Sequence, residues 1–297
     1  MKQTLINDKW GTIVEFDNPL DVFKQTPGYW RDMMYARQLI VFKRMKFTKA
    51  NYAKLCASFG RLWGEQDYQY SHEKTEPVIV KNFKFVISPI SNKISGKLGM
   101  NEMKWHSDIP NKLDKPFPMR SIWMVNNPHP DSGLTSWLNI EHGINCLPTE
   151  LKEQIPNIKI IQQSWWKKDS DIQEHDFIKI HPITKLPSLR LNFFCDTERN
   201  INDAWIKSVK VHGEEQIPKP VLGPYLKNLQ EQKELVYTHK WDEFDIIIYD
   251  NWPFVHNRTK LEFDSDLERL MYRTNIDHLS NDDYVAQARF VLTLPYE

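Results

Sequence analysis

The hydrophobic positions of this chain change period several times, and the changes mark its elements. Gln38-Leu39-Ile40-Val41-Phe42 is a short apolar run of strand length bounded by charge. Thr48 then stands where a helix N-cap belongs, and Tyr52, Leu55, Cys56 and Phe59 follow at helical spacing. Gly60 sits where such a helix commonly stops. Between about 66 and 104 the pattern loosens into polar residues, and the stretch Ser91–Gly99 reads equally well as a cover for a site or as a surface loop. From 118 onward short strands dominate. Met119–Val125 and Ser188–Phe193 alternate, whereas Phe244–Tyr249 is apolar enough to be a deeply buried strand. Turn residues separate them at Asn127-Pro128-His129-Pro130 and Lys185-Leu186-Pro187, and two further amphipathic helices fall near Pro148–Gln154 and Val221–Gln232. Many short strands with a few peripheral helices predict a mainly β fold, a sandwich or barrel with helical buttressing. No repeat or linker divides residues 1–297, so a single domain is expected.

Composition narrows the partners. Lys plus Arg equals Asp plus Glu at 39 each, which gives no general attraction to nucleic acid or to anionic lipid. The three cysteines, Cys56, Cys146 and Cys195, are odd in number, widely spaced and without a Cys-x-x-Cys pair. A disulfide scaffold and a thiolate zinc site are therefore both disfavoured, and a reducing cytoplasmic location is expected. The N-terminus has no apolar run of signal-peptide type, and no segment is long and apolar enough to span a bilayer. Oligomeric state is not legible, and a homo-oligomer is compatible with the sequence.

Candidate chemistry concentrates at two places. Trp105-His106-Ser107-Asp108 supplies an imidazole and a carboxylate two residues apart, which extended backbone directs to one side. Two other His-x-acid triplets exist, His129-Pro130-Asp131 and His212-Gly213-Glu214, and roughly one or two are expected by chance. Only the first is preceded by Trp and leads toward further β structure. Far along the chain, the buried strand ends at Asp250-Asn251, and His256 follows the aromatic loop Trp252-Pro253-Phe254. Two imidazoles and one carboxylate in this arrangement have the sequence form of a facial triad for non-haem Fe(II). Then Leu267–Ile276 alternates, placing Arg269, Met271 and Arg273 on one face and Leu270 and Tyr272 on the other. Inward arginines are costly to bury unless carboxylates meet them, and the guanidinium fork suits an acidic co-substrate.

At these residues the chain resembles the taurine dioxygenase (TauD/TfdA) family of Fe(II)- and 2-oxoglutarate-dependent oxygenases. Trp-His-Ser-Asp, the Asp-Asn ahead of the distal His, and Arg269-Leu270-Met271-Tyr272-Arg273 match in order and approximate spacing. So do Leu39-Ile40-Val41-Phe42, Ala57-Ser58-Phe59-Gly60, Ser132-Gly133-Leu134-Thr135-Ser136-Trp137, and His181-Pro182-Ile183-Thr184 with Leu189-Arg190-Leu191-Asn192. The resemblance implies a double-stranded β-helix, or cupin-like jelly-roll, core. It implies that His106, Asp108 and His256 ligate Fe(II), and that Arg269, helped by Thr135, holds the distal carboxylate of 2-oxoglutarate. Arg273 would lie near the other end of the co-substrate and touch an anionic group of the substrate. With O2 as oxidant, the implied reaction releases succinate and CO2 and hydroxylates an unactivated C–H bond of a small molecule, desaturation and cyclisation being variants. Two departures are visible: Leu134 replaces the acidic residue common before the Thr, and the spacing from His256 to Arg269 is slightly long.

Candidate walls of a substrate pocket are aromatic, namely Trp105, Phe193, Phe194, Trp252 and Phe254, although in a sheet protein such residues are more often core. An anionic or zwitterionic substrate is expected if Arg273 reaches it. Two other readings remain open on the residues alone: a non-catalytic jelly-roll binding protein, and a zinc hydrolase using the same His, Asp and His ligands with a separate general base.

Overall fold

The protein is described by a computed structural model, over residues 1–68, 74–94, 100–108, 118–163, 172–191, 206–264 and 266–296. Among these residues the strands, numbered in chain order, form two main sheets. The larger runs β1 (Lys2–Leu5), β2 (Thr12–Glu15), β3 (Leu39–Phe42), β17 (Ile246–Asp250), β8 (Met119–Asn126), β19 (Leu270–Asp277), β6 (Phe83–Ser91) and β5 (Glu76–Val80). The short β4 (Arg61–Leu62) pairs with β19. The smaller sheet runs β16 (Val236–His239), β9 (Thr135–Asn139), β18 (Phe254–Arg258) and β7 (Met103–His106). Outside these, β11 (Ile172–Asp176), β10 (Ile158–Gln163), β14 (Ile206–Val211) and β15 (Glu214–Gln216) make a four-stranded sheet, and β12 (Ile178–Ile180) pairs with β13 (Pro187–Leu189). Between the two main sheets lies a core of Leu39, Val41, Met124, Trp137, Ile247, Tyr249, Phe254 and Met271. This is a mostly antiparallel jelly roll with peripheral helices: the mainly β fold that the strand pattern predicts, in the form that the family resemblance implies.

The uninterrupted apolar runs of β3 and β17 are explained by burial on both faces. Leu39, Val41, Ile247 and Tyr249 point between the sheets. Their alternates Ile40, Phe42, Ile246 and Ile248 pack outward into the core shared with Trp30, Met34, Tyr52, Leu55 and Val291. Those partners come from the helices Pro27–Arg37, Lys49–Ala57 and Asn281–Leu292. Thr48 caps the second of these as predicted, its hydroxyl accepting from Asn51 N at 3.1 Å. The outer face of the smaller sheet is covered differently, by Leu222, Tyr225 and Leu229 of helix Pro218–Gln230 against Leu138 and Val255.

Two readings of the sequence change. The loosely patterned stretch from 66 to 104 contains β5 and β6, a hairpin turning at Lys81 with φ 54°. Their alternation is disguised because Ile79 and Phe83 are exposed. The proposed cover at Ser91–Gly99 is described only to Ile94. Gly60, in turn, owes its identity to packing rather than to stopping a helix, which already ends at Ala57. A Cβ there would stand 2.2 Å from the carbonyl oxygen of Asp277 on β19.

One polar residue ties the layers together. Gln38 ends helix Pro27–Arg37 in the left-handed region, φ 64°, its N–H donating to Met34 O, while its own carbonyl accepts from Asp250 N at 2.8 Å. Its side chain accepts from Asn139 Nδ2 at 2.7 Å and donates to the Glu141 carboxylate. Asn139 also caps helix Ile140–Cys146 by accepting from Glu141 N and His142 N. Burial pushes the Glu141 carboxyl up to about 7, with the Gln38 donor opposing and nearby Asp250 adding to the rise.

Gly60→Ala is expected to cost about 1–3 kcal/mol, because neither strand backbone can yield without disturbing β4 and β19; chemical denaturation measures it, and an unchanged midpoint would contradict the packing account. Glu141 holds its proton more tightly folded than unfolded, so its stabilisation is present at low pH and lost as pH rises through about 7. Glu141→Gln should therefore stabilise the protein at pH 8, by on the order of 1–3 kcal/mol, with the gain vanishing near pH 4.5. A difference that is the same at both pH values would argue against this assignment.

Candidate metal centre

β7 and β18 are neighbours in the smaller sheet, and their register sets His106 directly opposite His256. The two rings lie 4.2 Å apart, centroid to centroid. Past the end of β7, Asp108 returns to the same side as His106. Its Oδ1 is 4.0 Å from His106 Nε2 and its Oδ2 is 3.6 Å from His256 Nε2. The three residues present one ligating atom each within 4.8 Å of one another. His129-Pro130-Asp131 and His212-Gly213-Glu214 do nothing comparable. Asp131 is exposed and paired with Lys240, and His212-Gly213 is the turn of the β14–β15 hairpin.

Neighbouring bonds settle how these groups face. His106 Nδ1 donates to Lys104 O at 2.6 Å, which leaves the lone pair on Nε2 toward Asp108 and His256. Burial lowers the pKa of His106 and pushes that of His256 down to about 3, so both rings are neutral and able to donate electron pairs. Burial alone would raise the Asp108 carboxyl. Arg120, at 3.2 Å from Oδ2, is the main charge that offsets this, with Arg273 adding to it, and together they hold the carboxyl well below the usual carboxylate range. The Tyr249 hydroxyl adds a donor at 3.4 Å. The ligand backbone is fixed as well: Ser107 Oγ donates to Phe254 O at 2.7 Å, and Asn251 accepts from Asp108 N and donates to Asp108 O at 3.2 and 2.5 Å. Two neutral nitrogens and one ionised carboxylate facing one point fit a divalent first-row metal.

These residues open on a cavity whose walls include Thr135, Arg258, Arg269, Met271 and Arg273. Arg269, just ahead of β19, and Arg273 within it both line the cavity, while Leu270 and Tyr272 pack into the opposite core. Arg269 is buried, and donates through Nη2 to Gly133 O at 3.1 Å. Its burial, with Arg258 nearby, pushes the guanidinium down to about 9. Gly133 has φ 67°, and a Cβ there would reach within 2.1 Å of Leu261 and 3.3 Å of the guanidinium carbon. The Thr135 hydroxyl accepts from Trp241 Nε1 at 2.9 Å, which leaves its own proton to donate elsewhere.

The aromatic wall is placed otherwise. Trp105 is on the opposite side of β7 from His106, packed against the core beneath helix Pro218–Gln230. Trp252 lies 5.7 Å from the ring of His181 with Lys179 over its face, outside the cavity. Phe254 belongs to the core between the sheets. Phe193 and Phe194 fall outside the described residues. Sequence reasoning passed over Arg120, Tyr249 and Arg258. Arg120 interrupts an apolar strand and shares a face with Ile122, and Arg258 follows His256 by two positions; both were readable signals.

The sequence matches the family described as taurine catabolism dioxygenase TauD, TfdA family over residues 4–275. A search of curated protein sequences finds no match. Among solved structures, AAD-2 in complex with Mn(II) and N-oxalylglycine superposes with a TM-score of 0.65 at 17% identity, covering 94% of this chain and 98% of that one. PvcB of Pseudomonas aeruginosa gives 0.65 at 16% identity, over 93% of this chain and 91% of the other. A taurine dioxygenase from Burkholderia xenovorans gives 0.62 at 17% identity, over 93% and 90%. These likenesses bear on the fold, while the family match spans nearly the whole chain, and the chain accordingly belongs to the TauD/TfdA family of Fe(II)- and 2-oxoglutarate-dependent dioxygenases.

Proposed function

We propose that His106, Asp108 and His256 hold Fe(II) and that the protein oxidises, in the simplest case hydroxylates, an unactivated C–H bond of a small anionic molecule, with release of succinate and CO2. The observation that supports this most directly is the composition of the cavity: one metal-binding set and, besides it, cationic arginines. When bound, the iron supplies activation of O2 coupled to decarboxylation of 2-oxoglutarate. The chain's own residues do the rest. Arg269 and the Thr135 hydroxyl bind the distal carboxylate of the co-substrate, Arg258 adding positive charge from the facing strand. Asp108 stays ionised because Arg120 and Tyr249 hold it so.

Charge favours an anionic substrate. Arg258, Arg269 and Arg273 line the cavity beside the Arg120–Asp108 ion pair, and a bound dication would add positive charge. A dicarboxylate co-substrate would meet part of this charge, and Arg273, on the wall of the same cavity, would meet an anionic group of the substrate. The hydrolase reading is less well supported, since among the described residues that line the cavity Asp108 is the only carboxylate, and it is a ligand rather than a separate general base. A binding protein without turnover would leave the three converging ligands without a purpose. We read residues 1–297 as one catalytic unit; no helix among the described residues is long and apolar enough to cross a membrane.

Anaerobic addition of Fe(II) and then 2-oxoglutarate to the purified protein is expected to produce the visible charge-transfer band of the chelate, and His106→Ala to abolish it. Bound iron without the band would refute the co-substrate assignment. Arg269→Ala should raise the 2-oxoglutarate concentration needed for half-maximal signal by about ten- to a hundredfold. Arg273→Met should leave that concentration nearly unchanged while weakening turnover of any anionic substrate, and equal loss of both would assign Arg273 to the co-substrate instead.

A further inference from the structure

A second His/Asp/His group lies behind the turn that joins β17 to β18. His181, Asp250 and His278 also bring one ligating atom each within 4.8 Å of one another. By spacing alone it looks like another metal centre. Its protons are arranged in the opposite sense. His181 Nδ1 accepts from Ile183 N at 3.1 Å and Thr184 N at 2.9 Å, so that nitrogen carries no hydrogen. The ring's single N–H is therefore on Nε2, 2.7 Å from Asp250 Oδ2. On the other side, His278 Nδ1 lies 3.1 Å from the hydroxyl of Tyr35. Burial pushes Tyr35 up to about 12, so its hydroxyl keeps its proton, and with that proton given to Nδ1 the His278 N–H falls on Nε2. That nitrogen faces Asp250 Oδ1 at 3.5 Å, an electrostatic contact rather than a formed hydrogen bond. His181 turns an N–H onto the carboxylate, and His278 faces it with its Nε2 edge. In the first group His106 does the reverse, giving its proton to a backbone carbonyl and turning a lone pair inward. A metal needs the lone pairs.

What the second group holds is a length of backbone. Asp250 Oδ1 also accepts from Trp252 N at 2.9 Å, and Ser188 Oγ donates to Trp252 O at 3.1 Å. Between these two anchored residues stands Asn251, fully buried, whose amide brackets Asp108 by bonding both its N–H and its carbonyl. We infer that His181, Asp250 and His278 are a proton-bearing clamp rather than a second metal centre, and that the clamp fixes the turn so that Asn251 holds Asp108 where it can ligate. They are positioning residues, acting through Asn251. The inference rests on the reading of Asp108 as a metal ligand.

Cobalt(II) binding by the purified full-length protein, followed by its visible spectrum and compared with thermal unfolding of each variant, tests it without reliance on turnover or on 2-oxoglutarate. One Co(II) per chain is expected, lost in His106→Ala. Asn251→Ala and His278→Ala should each weaken Co(II) binding by about ten- to a hundredfold, and His278→Gln, which restores an N–H donor, should recover most of it. A second equivalent that survives His106→Ala overturns the inference. So does an Asn251→Ala protein that melts lower but binds Co(II) as the wild type does. Should His278→Ala not fold, the wild-type stoichiometry and Asn251→Ala decide the matter. No binding at all by the wild type overturns the metal-centre reading and this inference with it.

Discussion

The register of one strand pair is the constraint on which the site depends. β18 must meet β7 so that His256 stands opposite His106, and a slip of β18 by one residue would turn His256 out of the cavity. The register is held from both sides. On one flank β18 pairs with β9 through five successive residues, from Phe254 opposite Asn139 to Arg258 opposite Thr135. The same pairing brings Thr135 and Arg258 toward the cavity. At the other end the turn 251–253 is fixed by Asp250 and Ser188, so the strand cannot slide along its axis without breaking buried hydrogen bonds.

A second theme is the way burial and charge are set against each other. Desolvation works against the charged forms of His106, His256, Arg269 and Asp108, lowering the first three and tending to raise the fourth. Only Asp108 is carried in the other direction, because cations surround it. The site thus keeps neutral nitrogens beside an ionised oxygen over a wider pH range than the same residues have in water. Burying arginines beside this site costs stability, and a fold with three extensive apolar clusters can carry that cost.

Much of this was legible in the sequence, for identifiable reasons. β3 is apolar at every position and β17 at all but its last, Asp250, because both faces are covered, and such runs are hard to mistake. Thr48 and the helical spacing after it are local signals read without tertiary knowledge. His106 and Asp108 were visible as a pair because extended backbone repeats every two residues. The misreadings come from contacts that no local pattern carries. Gly60 was read as a helix stop, but the reason for it is a strand backbone more than two hundred positions away. Trp105 and Trp252 were suggested as pocket walls, but Trp105 is on the opposite side of β7 from its neighbour His106, and Trp252, in the turn before β18, packs on His181 and Lys179. Arg258 was passed over although it repeats the two-residue logic that revealed Asp108.

The order of strands in the larger sheet carries a consequence for how the protein is made. Its centre is not built from consecutive segments: β17 lies between β3 and β8, and β19 between β8 and β6. Until the last quarter of the chain has been synthesised, β3, β8 and β6 have no central partners, and each exposes unpaired backbone along an apolar strand. Closing such distant pairings is slow, and the partly made chain is the form most exposed to aggregation. Whatever protects the nascent protein must therefore act until ribosomes have passed β19, and a chain released before that point lacks the middle of its sheet as well as the second imidazole or the arginines of its site.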